Sequence, residues 1–253
     1  YTPIYVWYGY PDATGTESAS NVWTNGVAIW HFEGNANDTI GSYNGTVYGA
    51  DRSTSYGKVN EGYYFNSTSD YITHSTVSTS APFTIMHWGK ITSYDSTYGH
   101  IAWGYSGASN FGTWIMASSG TTITGFSCRP SGSAYTSSNP SSSGNTATIT
   151  NWNLFSYVQT NATTATQQIN GNTEYTPTID GGNLGALQFN AIGMYFNSDY
   201  NWYGYIDEFW VFSDAKTQNF KNAVYNNVEN YSTFITIDGA VNVGNSAPNK
   251  PTI

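Results

Sequence analysis

The adjacent pair Asp207-Glu208 is the first feature of this sequence whose residue types could perform chemistry. Glycoside hydrolysis uses two carboxyl groups that flank the scissile bond, one as an acid and one as a base or nucleophile. The pair lies in an aromatic and β-branched stretch that is typical of a strand, where successive side chains point to opposite faces of the sheet. We therefore expect that these two carboxylates cannot flank one substrate bond.

The other ionisable residues lack the spacing of catalytic or metal sites. No carboxylate lies between Asp95 and Glu174, so the middle of the chain supplies no catalytic acid. No Ser/His/Asp signature is visible, and zinc-type spacing is missing among the histidines, which are His31, His74, His87 and His100. Cys128 is the single cysteine, so we expect it to be structurally inert. The sequence thus predicts a protein that is not an enzyme.

Aromatic side chains indicate a second kind of chemistry, the recognition of carbohydrate. The chain has 9 Trp and 22 Tyr, and sugars stack on aromatic faces while Asn, Asp and Gln side chains bond to their hydroxyl groups. The alternative for any one ring is packing in the core or on a strand face. The densest cluster predicts a ligand-binding loop that contains Tyr195, Asn197, Asp199, Tyr200 and Trp202. A second candidate set consists of Tyr98, Trp103, Tyr105 and Trp114.

The sequence also contains acceptor motifs for N-linked glycans, Asn-X-Ser/Thr. If the host glycosylates exported proteins, we expect Asn66 and Asn161 to be used before the others. A chain this rich in Asn, Ser and Thr also produces such motifs by chance. The predicted glycosylation sites are Asn37, Asn44, Asn66, Asn161 and Asn230.

Many short strands must position these residues. Segments rich in β-branched and aromatic residues alternate with Gly, Asn, Ser and Thr clusters, which predicts two packed antiparallel sheets. One short helix is predicted after Ser213-Asp214, either of which could cap it, because Phe220 and Val224 recur at helical spacing. The predicted strands are 4–8, 28–32, 46–48, 63–65, 83–90, 100–104, 113–117, 121–126, 146–149, 154–159, 165–169, 186–190 and 206–212.

Composition restricts the partners of the chain. Charged residues are only 9% and the formal net charge is -9, so the basic surface that binds nucleic acid is missing. No run of apolar residues is long enough to cross a membrane, and we expect no direct membrane insertion. Without a disulfide, the fold must be held by its core or by a metal ion.

Composition also divides the chain into three parts. Residues 1–25 are predicted to hold the last strand of an upstream domain, or an added edge strand, followed by a linker. Residues 26–237 form the predicted β-sandwich. Residues 238–253 are rich in Asn, Pro and Gly and predict a linker toward a further domain.

Two stretches resemble the laminin-G-like, or concanavalin-A-like, domains of bacterial and archaeal surface proteins. The stretch AIWHFEGNANDTIGSYNGT at 28–46 is similar to the opening strand and loop of that family, and YIDEFWVF at 205–212 is similar to its closing strand. Between them, YYF at 63–65, DYI at 70–72 and FTIMHW at 83–88 follow the order of the family. The resemblance implies an all-β jelly-roll sandwich in which the Trp30 segment lies beside the Phe209 segment. The first twenty-odd residues resemble the end of a domain of unknown function that precedes such sandwiches.

The resemblance further implies one structural Ca²⁺. Calcium takes six to eight oxygen ligands, and the turn 34–45 offers several. The ligands implied are Asp38, Asn35 and Asn44, with Asp207 completing the site if the two ends of the domain meet. The alternative is that Asp38 forms an Asx-turn and that Asp207 and Glu208 bond to loop backbone. Some members of the superfamily are glycosidases, but their signature strand has acids where this chain has Tyr205 and Val211.

Together these features predict a non-catalytic extracellular or cell-surface module. It would recognise a glycan or a surface protein, support adhesion, or build a surface layer or appendage, beside further domains of the same chain. The first alternative is a carbohydrate-active enzyme or its accessory carbohydrate-binding module. The second is a viral or filament exterior protein.

Overall fold

The computed structural model describes residues 19–92, 98–104, 111–117, 122–129, 134–137, 147–194 and 201–229. Within these ranges the chain is an antiparallel two-sheet sandwich, as the sequence predicted. Its helices are Ala19–Val22 (α1) and Gln218–Glu229 (α2). Its strands are Gly26–Trp30 (β1), Thr46–Tyr48 (β2), Asp51–Ser53 (β3), Gly62–Phe65 (β4), Tyr71–Thr79 (β5), Phe83–Ile91 (β6), Tyr98–Gly104 (β7), Phe111–Ala117 (β8), Thr122–Arg129 (β9), Tyr135–Ser137 (β10), Ala147–Thr148 (β11), Asn153–Asn161 (β12), Thr164–Ile169 (β13), Thr178–Asp180 (β14), Leu187–Ile192 (β15) and Gly204–Phe212 (β16).

The strands divide between two sheets whose order differs from chain order. In the described part, sheet A runs β13-β12-β6-β16-β4-β3, with β1 also paired to β16. Sheet B runs β14-β10-β9-β8-β7-β15-β5-β2, with β11 also paired to β9. The first and last strands of the sandwich meet, because Trp30 is the register partner of Phe209. This contact confirms the predicted closure of the domain.

The main core lies between the two sheets. Trp30 and Phe209 of sheet A and Phe189 of sheet B are fully buried, with ring centroids 5.7 to 6.2 Å apart. Aromatic rings at these separations attract each other through edge and offset contacts in addition to their hydrophobic burial. Ten Trp, Tyr and Phe side chains of the described part are buried in this core.

A second, smaller cluster lies on the outer face of sheet A, beneath helix α2. Trp88 stacks on Tyr225 of the helix at 5.8 Å, and the buried Lys221 of the helix forms an ion pair with the half-buried Glu174. The helix begins after Thr217, whose hydroxyl accepts the backbone N–H of Phe220. The prediction of Ser213 or Asp214 as the cap was wrong because both precede the helix by several residues. The cluster consists of Ile29, Met86, Trp88, Leu154, Trp210 and Phe212.

The N-terminal segment before β1 also packs on this outer cluster. The indole of Trp23 lies 5.3 Å from that of Trp210 and 6.2 Å from the ring of Phe212. Packing on the sandwich thus begins before the predicted boundary at residue 25. The predicted strand 4–8 and the predicted linker 238–253 lie outside the described residues. Within the described residues, no helix combines the length and apolar character needed to span a membrane.

Sequence patterns predicted most strands but not four of them. Strands β3, β5, β10 and β14 are rich in Ser, Thr and Asp, which resemble turn residues in the sequence. The longest of them, β5, lies between β15 and β2 of sheet B. Its Tyr, Ile, Thr and Val residues favour a strand, and pairing on both sides supplies its backbone hydrogen bonds although the intervening Ser residues resemble a turn.

Candidate functional site

A β-bulge places Asp207 and Glu208 on the same face of sheet A. Asp207 is the register partner of Trp88 and Trp210 is that of Met86, so two residues of β16 oppose one residue of β6. Glu208 adopts a positive φ of 52°, which is uncommon for a residue other than glycine. The expectation from strand alternation that these carboxylates point to opposite faces was therefore wrong, because the bulge interrupts the alternation.

Asp207 is fully buried beneath the loop between β3 and β4. Its Oδ2 accepts the backbone N–H groups of Lys58 and Val59, each at 2.8 Å. Burial raises the pKa of Asp207 to about 8, and the nearby charge of Glu208 adds to the rise, although the backbone N–H groups oppose it. The loop therefore isolates this carboxyl group from any ligand in solution.

Glu208 is bound by an imidazole and an indole of its own chain. Its Oε2 lies 2.6 Å from Nδ1 of His31 and accepts the indole N–H of Trp210 at 2.9 Å. Burial lowers the pKa of His31, but the hydrogen bond and charge of Glu208 outweigh it and raise the pKa overall. The ring of Trp23 lies 5.1 Å from that of His31. Glu208 therefore stabilises the junction of β1, β16 and the N-terminal segment.

The proposed calcium ligand Asp38 is a buried acceptor for backbone N–H groups. Its Oδ1 accepts those of Ile29 at 2.9 Å and Ile40 at 3.0 Å. Its Oδ2 accepts those of Ser42 and Tyr43, both at 3.1 Å. An ionised carboxylate has about four acceptor positions, and all four are occupied by N–H protons that repel a cation.

The other implied calcium ligands have similar local partners. Oδ1 of Asn35 accepts the backbone N–H of Asn37 at 2.8 Å, and Oδ1 of Asn44 accepts that of Asp38 at 3.1 Å. Asp207 bonds to the loop at 58–59 and not to the turn that holds Asp38. No group of three or more His, Cys, Asp or Glu side chains in the described part could hold a metal ion. These residues do not fit a shared calcium ion in this structure.

The predicted glycan acceptors differ in their surroundings. Asn37, Asn44, Asn66 and Asn161 are exposed, and Oδ1 of Asn161 accepts the backbone N–H and hydroxyl of Thr163. Asn230 lies outside the described residues. Glycosylation of these sites stays a prediction.

The predicted ligand-binding loop is described only at its end. Trp202 is fully buried, and its indole N–H donates to the carbonyl of Tyr205 at 3.3 Å. This burial removes Trp202 from the predicted ligand-binding surface, because a buried ring cannot stack on a sugar. The residues Tyr195, Asn197, Asp199, Tyr200 and Tyr105 lie outside the described ranges, whereas Tyr98, Trp103 and Trp114 lie in strands β7 and β8.

The structure assembles a different aromatic surface, which we call the tyrosine platform: Tyr56, Tyr64 and Tyr205. Tyr64 and Tyr205 are register partners on β4 and β16, and their rings stack at 4.6 Å with an interplanar angle of 22°. The ring of Tyr56, from the turn before β4, lies 5.3 Å from Tyr64 and 5.5 Å from Tyr205. All three side chains are half-buried. The platform therefore presents three partly exposed rings at one surface.

Two further side chains border the tyrosine platform. Nζ of Lys90 lies 5.3 Å from the ring centroid of Tyr205, and the ring of Trp152 lies 6.1 Å from that of Tyr205. Lys90 is the register partner of Tyr205 on β6, and the exposed Asp51 is that of Tyr64 on β3. A row of neighbours thus crosses four strands from an acid to a base. The arrangement can stack on a flat ligand and bond to its polar edges.

Gly204 lets the strands beneath the platform approach each other. Its φ is +152°, and a Cβ at this position would lie 2.0 Å from the carbonyl oxygen of Lys90. Only glycine fits this close contact between β16 and β6. The glycine therefore fixes the position of Tyr205, the next residue, beside Lys90.

Sequence reasoning missed the tyrosine platform because its members are distant in the chain. Tyr64 and Tyr205 belong to segments that were predicted as strands or matched to the family, but their shared face depends on the pairing of β4 with β16. One feature of the sequence indicated the exposure of Tyr205. Side chains alternate between the two faces of a strand, so Tyr205 points away from the face of Gly204 and Ile206, which are buried.

Comparison with known proteins gives matches in structure alone. No family model matches the chain, and a search of curated proteins finds no match. Among solved structures, domain 4 of AbnA, a GH43 extracellular arabinanase from Geobacillus stearothermophilus in complex with arabinotriose, has a TM-score of 0.63 at 15% identity. The match covers 79% of this chain and 98% of that domain.

Toxin binding domains are also similar in structure. The botulinum neurotoxin serotype D binding domain has a TM-score of 0.57 at 18% identity, over 79% of this chain and 50% of that one. The binding domain of Paraclostridial Mosquitocidal Protein 1 has a TM-score of 0.56 at 13% identity, over 80% and 52%. The chain thus spans about half the length of these two structures. At such identities the likeness shows the β-sandwich fold alone.

Proposed function

We propose that this chain is a non-catalytic extracellular module that binds carbohydrate through the tyrosine platform. The observation that carries the proposal is the mutual stacking of Tyr56, Tyr64 and Tyr205 at a partly exposed surface. Helix α2 covers the neighbouring part of the same sheet face, where Trp88 and Trp210 lie. The rings of the platform therefore remain partly exposed, whereas those of the adjacent cluster are buried.

The dimensions and chemistry of the platform suit a short oligosaccharide. Tyr64, Tyr205 and Lys90 lie on three successive strands, so the row spans two strand spacings, or about 10 Å. Aromatic faces bind the C–H surface of sugar rings, and phenol groups and Lys90 can bond to hydroxyl groups. Burial and the neighbouring tyrosines raise the pKa of Tyr205, and its phenol, like that of any tyrosine, is a hydrogen-bond donor at neutral pH.

Two observations support the non-catalytic part of the proposal. Asp207 and Glu208 share one face, yet both are buried and bonded to their own chain. A pair of glycosidase carboxyl groups must instead contact the substrate or the attacking water. The low charge content and the glycosylation motifs support an extracellular location.

One related role is supported by the comparison with known structures. The structure of domain 4 of the arabinanase was determined in complex with arabinotriose, and its fold resembles that of this chain. An accessory carbohydrate-binding module of a carbohydrate-active enzyme is therefore a specific form of the proposed function. Arabinotriose is a reasonable first neutral ligand to test.

The test is a calorimetric titration of the purified chain with a panel of oligosaccharides that includes arabinotriose. We expect Tyr205→Ala and Tyr56→Ala to weaken binding about tenfold or more, equivalent to roughly 1.4 kcal/mol. Because Tyr56 lies in a turn, its substitution should leave the strands intact, and melting curves would verify this.

Tyr48→Ala is the matched control for these variants. Tyr48 stacks on its register partner Tyr71 at 4.6 Å and 21°, as Tyr64 does on Tyr205, but it lies at the far edge of sheet B. We expect this variant to bind like the unmodified chain. Absence of binding to every oligosaccharide, or equal losses in all three variants, would refute the platform as a carbohydrate site.

A further inference from the structure

Most basic side chains of this acidic protein are paired with a carboxylate. The formal net charge is -9, and the chain has only 7 Lys and Arg residues. Four of them form ion pairs with acids of the described part, and these pairs are Arg52–Glu61, Lys58–Glu229, Lys216–Asp214 and Lys221–Glu174. With carboxylates in excess, such pairing is the expected state of a base in this protein.

Lys90 differs from these four bases. Its ammonium group has no hydrogen bond or ion pair with any residue that the structure describes. Its contact is the cation–π interaction with Tyr205, at 5.3 Å from the ring centroid. The side chain is half-buried, and its ammonium group lies beside the rings on which we propose that a sugar stacks. A cation in this position is available to an anionic group of a ligand.

We propose that the tyrosine platform selects acidic saccharides, in which the ring of a uronic acid stacks on the tyrosines and its carboxylate pairs with Lys90. This inference rests on the proposed function. A charge-assisted hydrogen bond beside an aromatic surface is stronger than an exposed ion pair, because the ligand and the rings exclude water from it.

The opposite end of the row sets the orientation of the ligand. Asp51 is exposed and is the register partner of Tyr64, and β3, which holds Asp51, lies three strands from β6, which holds Lys90. An acidic sugar is repelled by Asp51 and attracted by Lys90, so its carboxylate lies over the β6 side of the platform. A neutral sugar lacks this preference and gains only from stacking and from hydrogen bonds to its hydroxyl groups.

The experiment compares trigalacturonate with its fully methyl-esterified form, which has the same rings but no charge. Calorimetric titration of the unmodified chain should give an affinity for the acid at least about fivefold higher than for the ester. Lys90→Met should remove this preference, so that the acid and the ester bind with nearly equal affinity. Lys90→Arg keeps the charge and should keep most of the preference.

Lys58→Met is the matched control. Nζ of Lys58 also lies over an aromatic ring, at 5.2 Å from that of Trp88, but it is paired with Glu229. We expect this variant to retain the preference for the acid. Melting curves of each variant exclude unfolding as the cause of a loss.

The outcomes separate this inference from the function on which it rests. Equal affinity for acid and ester in the unmodified chain, or a preference that survives Lys90→Met, would overturn the acidic ligand while the platform remains a carbohydrate site. Failure to bind either trisaccharide, arabinotriose or any other oligosaccharide of the panel would overturn both proposals. A preference that is lost in Lys90→Met and kept in Lys58→Met supports the inference.

Discussion

Asp207 and Glu208 are consecutive in the chain, yet their side chains project from the same face of sheet A. The bulge at Glu208, with its φ of 52°, turns the backbone so that both acids face the outer cluster. Asp207 bonds to the loop at 58–59, and Glu208 bonds to Trp210 and His31. Two carboxyl groups are thereby held in a poorly solvated region, which makes the stability of the fold sensitive to pH.

Substitution of Asp207 should reduce the loss of stability that accompanies a rise in pH from about 4 to about 8. The folded state holds a proton on Asp207 up to about pH 8, whereas the unfolded carboxyl group releases it near pH 3.8. The contribution of Asp207 to stability is therefore complete below about pH 4 and is lost as the pH rises through 8. Between pH 5 and 8.5, the free energy of unfolding should fall by on the order of 2 kcal/mol less in Asp207→Asn than in the unmodified chain, because the variant forms no buried charge.

Urea unfolding at both pH values measures this difference. Asp51→Asn is the control for the exchange of Asp for Asn, because Asp51 is exposed and its carboxyl group is not buried in the folded state. Parallel pH profiles for the two variants would contradict the role of burial at Asp207.

His87 should make the fold sensitive to acid. Its ring is fully buried between Phe155, at 5.2 Å, and Phe209, at 5.5 Å, and neither ring nitrogen has a hydrogen-bond partner in the described part. Burial lowers the pKa of His87 to about 3. Its stabilising contribution is therefore complete above about pH 6.5 and is lost as the pH falls toward 3, by on the order of 3 kcal/mol at pH 4.

His87→Phe removes this titration and keeps an aromatic ring in the core. We expect the variant to be at least as stable as the unmodified chain at pH 7 and to lose less stability between pH 6.5 and 4. Part of the loss should persist, because burial also lowers the pKa of His74, to about 4. If the free energy of unfolding, measured with urea, depends on pH equally in His87→Phe and in the unmodified chain, His87 is accessible to solvent protons in the folded state.

Gly204→Ala should destabilise the fold and disturb the tyrosine platform. The added Cβ would lie 2.0 Å from the carbonyl oxygen of Lys90, so β16 and β6 must separate. We expect a loss of roughly 2–4 kcal/mol, together with weaker oligosaccharide binding. Gly34→Ala is the control, because Gly34 also has a positive φ, of 73°, but a Cβ there would meet nothing within 4 Å. Equal losses of stability in the two variants would mean that backbone conformation, and not the close contact, explains the effect.

Calcium should have no effect on the melting temperature. All acceptor positions of Asp38 are used by backbone N–H groups, so a bound ion would have to displace hydrogen bonds that hold the turn. Asp38→Asn should cost about 1–3 kcal/mol whether calcium or EGTA is present, because the amide replaces one of the two acceptor oxygens with a donor. A melting temperature that rises with calcium only in the unmodified chain would restore the calcium site implied by the family resemblance.

The predictable parts of this fold are those determined by local pattern. Alternating and aromatic segments predicted most strands, and the recurrence of Phe220 and Val224 predicted helix α2. The family resemblance also placed Trp30 beside Phe209, and the structure confirms that contact. The helix cap was misplaced because Ser213, Asp214 and Thr217 are all capable of capping, and only the packing of the helix on Trp88 selects among them.

By itself the sequence determined that the chain forms a β-sandwich with an aromatic core. Burial of one face of a strand makes apolar and polar residues alternate, and this alternation is visible among neighbouring residues. The tertiary structure alone decided which side chains meet. The pairing of β4, β16 and β6 brings Tyr64, Tyr205 and Lys90 together from three distant segments. A single bulge reverses the expected direction of one acid. Contacts of this kind depend on strand order and register, which no local pattern contains.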